Sequence, residues 1–81
     1  MTVQISFYSY FKDIAGCSRT TEDLAVGSTL GELLDLIYQR FPKLGIMRKS
    51  TLVAVGVEYQ DRSYRLQDGD DISLFPPVQG G

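Results

Sequence analysis

The sequence predicts an α+β fold, and three observations carry that expectation. Val3, Ile5 and Phe7 alternate with Gln4, Ser6 and Tyr8, the period of two of a half-buried strand. Leu30, Leu33, Leu34, Ile37 and Phe41 recur at intervals of three and four, which makes one apolar stripe on a helix. The second half returns to short apolar runs separated by turn residues, Leu52–Val57 and Ile72–Phe75. At 81 residues the chain is one domain's worth of sequence, too short for two independent cores.

The opening strand leads to a turn region around Ile14-Ala15-Gly16, where glycine is free to take positive φ. Arg19 to Val26 reads as a second strand, close enough to the first for a hairpin whose loop is longer than two residues. Thr29-Leu30-Gly31-Glu32 has the S/T-x-x-E form of a capping box and opens the helix. Pro42 disfavours helical geometry at Phe41 and ends it there or just before.

A loop from Lys43 to Ser50 follows, then Leu52 to Val57, apolar at nearly every position, as in a central strand or one covered on both faces. Asp68-Gly69 is turn chemistry. The last strand, Asp71 to Phe75, is closed by Pro76-Pro77, which cannot donate to a ladder. The expected order is β-β-α-β-(short β)-β, with the helix on one face of a mixed sheet.

Composition narrows the function classes. Eight Lys and Arg against ten Asp and Glu give a formal charge of −2, so there is no basic excess to neutralise phosphates and no nucleic-acid partner is expected. Cys17 is the one cysteine; it cannot form an intrachain disulfide, which argues for a reducing, cytoplasmic setting. Without histidine, a Ser-His or Cys-His nucleophile is impossible and a metal would have only carboxylates and one thiol, so no metal site is expected. No apolar run approaches the roughly 20 residues of a membrane helix, and Met1 to Ile5 does not have the pattern of a signal peptide.

The remaining segment is Pro76-Pro77-Val78-Gln79-Gly80-Gly81, uncharged in its side chains. An arbitrary terminus simply frays. Here the proline pair favours an extended exit, and two glycines present a carboxylate with no Cβ on either side, slim enough for a narrow channel. The expected organisation is a domain over 1–75 and an extended, flexible tail over 76–81. Such an end can be adenylated by an ATP-using enzyme and then accept sulfur, with no catalytic dyad required in the chain itself.

The run from Leu66 to Gly81, with Asp68-Gly69-Asp70, an apolar strand and Phe75-Pro76-Pro77-Val78-Gln79-Gly80-Gly81, resembles the small subunits of molybdopterin synthase. Val3 to Gly16 is similar but less specific, and the resemblance spans essentially the whole chain. It implies a ubiquitin-like β-grasp fold and a sulfur carrier. Gly81 would become an acyl adenylate and then a thiocarboxylate that donates sulfur to precursor Z (cyclic pyranopterin monophosphate), making the molybdopterin dithiolene.

Gly80, Gln79, Val78, Pro77 and Pro76 would thread into the catalytic pocket of the large subunit, in a heterotetramer of two small subunits on a large-subunit dimer. The other implied partners are an adenylyltransferase resembling ubiquitin-activating enzymes and a sulfur donor protein. ATP would be used by the activating enzyme, and no cofactor would be held permanently. Family members often carry Asn after the third strand, where this chain has Val55-Gly56-Val57-Glu58, read as turn variation.

Alternation puts Tyr8 opposite Val3, Ile5 and Phe7, and Phe75 opposite Ile72 and Leu74. With first and last strands adjacent, as the β-grasp fold implies, both rings share the open sheet face as a partner interface. Cys17 is a weaker sulfur-carrying candidate, because the family carries sulfur on the terminal glycine. The Asp68–Asp71 cluster lacks the spacing of a calcium loop and reads as a turn. Arg48-Lys49 and Arg62/Arg65 are basic patches on partner-facing or solvated surface. Two other functions fit the chain: a β-grasp sulfur carrier for thiamine or cysteine synthesis, and a ubiquitin-like binding module whose tail is never activated.

Overall fold

A computed structural model of the chain describes residues 1–77. The four tail positions Val78, Gln79, Gly80 and Gly81 lie outside the described residues. The strands are β1 (Thr2–Phe7), β2 (Arg19–Asp23), β3 (Leu52–Val55), β4 (Glu58–Tyr59) and β5 (Asp71–Phe75). The helices are α1 (Phe11–Ala15) and α2 (Leu30–Arg40), with a 3-10 segment over Pro42–Met47. The sheet runs β2-β1-β5-β3-β4. β1 and β5 are parallel, with Ile5 opposite Ile72 and Phe7 opposite Leu74, and the other pairs are antiparallel.

Strand alternation decides what each face does. Val3, Ile5, Phe7, Ile72 and Leu74 are each at most 1% exposed. They form one core with Leu30, Leu33, Leu34 and Ile37 of α2. The expected arrangement, a mixed sheet with its main helix on one face, is the one observed. Among the described residues no helix is long and apolar enough to cross a membrane.

The start of α2 shows how the backbone is satisfied. Thr29 Oγ1 accepts from Glu32 N at 3.3 Å while Glu32 Oε1 accepts from Thr29 N at 3.3 Å, completing the expected capping box. The free amides of Leu30 and Gly31 donate to the carbonyls of Tyr64 and Arg62, at 2.8 and 3.0 Å. Thr29→Ala removes the cap and should cost about 1 kcal/mol, a fall in melting temperature of roughly 4–8 °C for a domain of this size. A thermal melt superimposable on the wild type would show that the carbonyls alone hold the helix start.

Several elements differ from the sequence reading. Tyr8 to Gly16 is more than a turn: α1 forms there because Phe11 is drawn into the core, and Gly16 ends it in the left-handed region at φ 78°. The segment after Pro42 coils into a 3-10 helix that buries Leu44. β2 stops at Asp23, short of Val26, which is 89% exposed. Val57 is not in β3; it sits at 99% exposure in the β3–β4 turn, beside Gly56 at φ 61°. Nor is β3 covered on both faces, since Leu52 is exposed.

Candidate functional site: the outer sheet face where the tail departs

β5 is the strand that delivers the tail, and its place between β1 and β3 determines what surrounds the exit. Tyr8 N donates to Leu74 O at 3.1 Å, carrying the parallel pairing one residue past β1. At Ser9 the backbone adopts φ 56°, a left-handed conformation uncommon outside glycine, and the chain turns away into α1. Tyr8 is thereby left on the outer face beside Phe75. The two rings are stacked, with centroids 4.6 Å apart and planes at 15°. The structure brings together the two aromatics that alternation placed on this face. Tyr8 is 44% exposed and Phe75 is half-buried.

Register adds two residues that sequence reasoning missed. Leu52 lies directly opposite Phe75, and Tyr59 lies opposite Ala54 on the same face. Their signal was the parity of the β3–β5 pairing, which the sequence does not display. Small residues, Ser6, Ser73 and Ala54, lie between the larger ones and are at most 8% exposed. Leu52, Tyr59, Phe75, Pro76 and Pro77, with Ser9 and Tyr10, line a cleft of about 370 Å³ at the base of the tail. An exposed cluster of aromatic and aliphatic side chains around an open cleft is the anatomy of a protein interface.

Phe75→Ala tests that assignment. The stack it removes is worth about 1 kcal/mol to the free domain, so melting should fall by no more than several degrees. Loss of an interface anchor should weaken partner binding by roughly 1–3 kcal/mol. Calorimetric titration beside a thermal melt reads both quantities; unchanged affinity with a large drop in melting would make Phe75 a packing residue only.

The other candidates fall elsewhere. Cys17 sits between α1 and β2, partly buried against the core and separated from β5 by β1. The acidic turn uses its carboxylates in hydrogen bonds within the fold: Asp68 Oδ1 accepts from Thr2 N at the start of β1 at 2.8 Å, and Asp70 Oδ2 accepts from Gln67 N and the Tyr64 hydroxyl at 2.9 and 3.0 Å. Gly69 takes φ 84° within it. Arg62 and Arg65 do not act as a pair. Arg62 binds Asp35, whereas Arg65 Nη1 reaches Gly27 O at 3.5 Å.

The model of the ThiS family matches residues 5–81. The chain belongs to the ThiS family. A molybdopterin synthase sulfur carrier subunit from Chlamydomonas reinhardtii is 30% identical to this ThiS-family chain, over the full length of both. The resemblance to the small subunits of molybdopterin synthase is therefore borne out. A solved structure from Pyrococcus furiosus, described as a molybdopterin converting factor subunit 1, superimposes with a TM-score of 0.88 at 24% identity. It covers 96% of this chain and 99% of its own. In the complex of subunits 1 and 2 of the molybdopterin-converting factor from Helicobacter pylori, the matching chain has a TM-score of 0.70 and 28% identity over all of both chains. These likenesses, with the mixed sheet and α2 packed on one of its faces, establish the ubiquitin-like β-grasp fold for this ThiS-family member.

Proposed function

We propose that this ThiS-family chain is the sulfur-carrier subunit of a molybdopterin synthase, with the Gly81 carboxylate as its working group. The observation that carries the reading is the full-length match to a sulfur carrier subunit of that synthase, in a chain whose last residues are Gly80-Gly81. The exposed Tyr8–Phe75 face at the root of the tail supports it, because a partner that grips that face has the tail beside it.

The chemistry runs on the tail alone. A carboxylate oxygen of Gly81 attacks the α-phosphorus of ATP in an activating enzyme and pyrophosphate leaves. A sulfide equivalent from a sulfur donor protein then attacks the acyl carbon and displaces AMP, leaving a thiocarboxylate. In the large subunit the thiocarboxylate sulfur bonds to a carbon of precursor Z as a carbon–oxygen bond there breaks. Water then cleaves the resulting thioester, leaving the sulfur on the pterin and the carboxylate on Gly81. The dithiolene takes two such transfers, from two loaded carriers. Val78, Gln79 and Gly80 thread the end into each partner, and Pro76-Pro77 lowers the ordering cost. The assembly is a heterotetramer, two carriers on a large-subunit dimer, and it works in the cytoplasm, where ATP and a reducing setting are at hand.

Intact mass after incubation with activating enzyme, ATP and a sulfur source tests the first half of the cycle. The expected result is the increment of one oxygen-to-sulfur exchange, and an unchanged mass would leave a binding module whose tail is never activated. Adding the thiocarboxylated chain to the large subunit and precursor Z should then yield molybdopterin. Sulfur loading without that product would identify a carrier for a different pathway.

A further inference from the structure

A second concavity, of about 660 Å³, lies between α2 and the segment that follows β4. Its apolar and aromatic lining includes Leu34, Tyr38 and Tyr59, and three cations, Arg48, Lys49 and Arg62, stand around it. That is three of the chain's eight basic residues on one groove of a protein whose net charge is −2.

Of the two acids at the groove only Asp35 is paired with a cation; Asp61 keeps its charge, so the three cations leave the lining basic by one net charge. Asp35 receives both its contacts from Arg62 Nη2, at 3.1 and 3.2 Å, and Asp61 accepts from the backbone and hydroxyl of Ser63. Arg48 and Lys49 have no ion-pair partner among the described residues.

The groove is also held in shape. Arg62 lies against Gly31, where a Cβ would meet its Nε at 3.0 Å, and its own carbonyl accepts from Gly31 N. Thr51 Oγ1 donates to Met47 O at 2.9 Å and secures the turn that carries Arg48 and Lys49. Burial pushes the Tyr38 phenol above its ordinary value, while the Thr51 side chain and the guanidiniums of Arg62 and Arg48 pull it back. Both arginines therefore act on one phenol.

We propose that this groove docks an acidic segment of the large subunit, its carboxylates meeting Arg48, Lys49 and Arg62 and an apolar side chain resting on Tyr38 and Tyr59. The proposal rests on the carrier reading above and adds to it a second point of attachment, on the helix side of β4. Two observations select this occupant. The charge complement of an open, cation-rimmed groove is an acidic chain, and the groove shares Leu52 and Tyr59 with the cleft at the base of the tail. A protein seated on the Tyr8–Phe75 face reaches the groove without leaving the surface.

The test titrates the purified cognate large subunit into the wild-type carrier, into Arg48→Glu/Lys49→Glu, and separately into Arg62→Gln, at two salt concentrations. The cognate adenylyltransferase serves as comparison and thermal melts of each carrier as the folding control. The double charge reversal should raise Kd for the large subunit by about tenfold or more, with a flatter salt dependence, an unshifted melt and little change toward the adenylyltransferase. Arg62→Gln should weaken the same interaction from the other end of the groove. Kd values within twofold of wild type for both variants would overturn the proposal, as would a loss confined to the adenylyltransferase. Each of those results leaves the carrier reading intact, whereas a wild-type chain that does not bind the large subunit at all overturns both.

Discussion

A chain ending at Gly80 should fold like the full-length protein and transfer no measurable sulfur. The buried core side chains run from Val3 to Leu74, and β5 closes the sheet at Phe75, so deleting Gly81 leaves every one of these residues in place. The chemistry loses far more. Shortening the tail withdraws its carboxylate by one residue, about 3.5 Å along an extended chain, and misplacement of even ~1 Å can cost about 100-fold in rate. Adding one residue beyond Gly81 should be equally damaging, because the activated carbon then overshoots. On the carrier reading proposed above, Gly80→Val should fail for a different reason: its branched side chain is too wide for a passage that admits glycine. In all three variants circular dichroism and melting should match the wild type, and molybdopterin formation by any of them at more than about one-hundredth of the normal rate would refute the carrier chemistry assigned to Gly81.

Phe7→Ala should do the reverse, lowering stability sharply and sparing the chemistry of the fraction that remains folded. Phe7 is 1% exposed. It lies opposite Leu74 in the parallel pair and packs edge-on against Phe41 at the end of α2, with centroids 5.3 Å apart and planes at 74°. Truncation leaves a cavity between sheet and helix and should cost about 3–5 kcal/mol. A domain of this length holds roughly 4–12 kcal/mol in total, so the melting temperature should drop by well over ~10 °C. Below the new transition the folded fraction should still load sulfur on Gly81. A shift of only a few degrees would mean that Phe41 and its neighbours collapse into the space, and that the contact between α2 and the sheet is looser than the burial indicates.

The sequence by itself determined the elements whose causes are local. The α2 stripe and its Thr29–Glu32 box need only neighbours three and four residues apart, and both occur as the spacing predicts. The alternation in β1 and the Asp68-Gly69 turn are equally short-range, and Gly16 and Gly69 take the positive φ their positions call for. The chemistry proposed for the tail rests on the sequence and the family likeness, because Val78 to Gly81 lie outside the described residues. The stacking of Tyr8 on Phe75 was half legible. Alternation gave each ring its face, but their adjacency required β1 and β5 to pair, a contact between opposite ends of the chain.

Only the tertiary structure decided the rest. A five-residue helix such as α1 is too short to show a period, and it exists because the core takes Phe11. Leu52 and Tyr59 join the outer face through the register of β3 against β5 and β4, and a slip of one residue would have sent them to the other side. Arg62, adjacent to Arg65's patch in sequence, is instead brought to Asp35 and to the groove of Arg48 and Lys49 by the way the chain after β4 crosses α2. Register and crossing are settled by which apolar surfaces must be buried together, a property of the whole core that no short stretch of sequence contains.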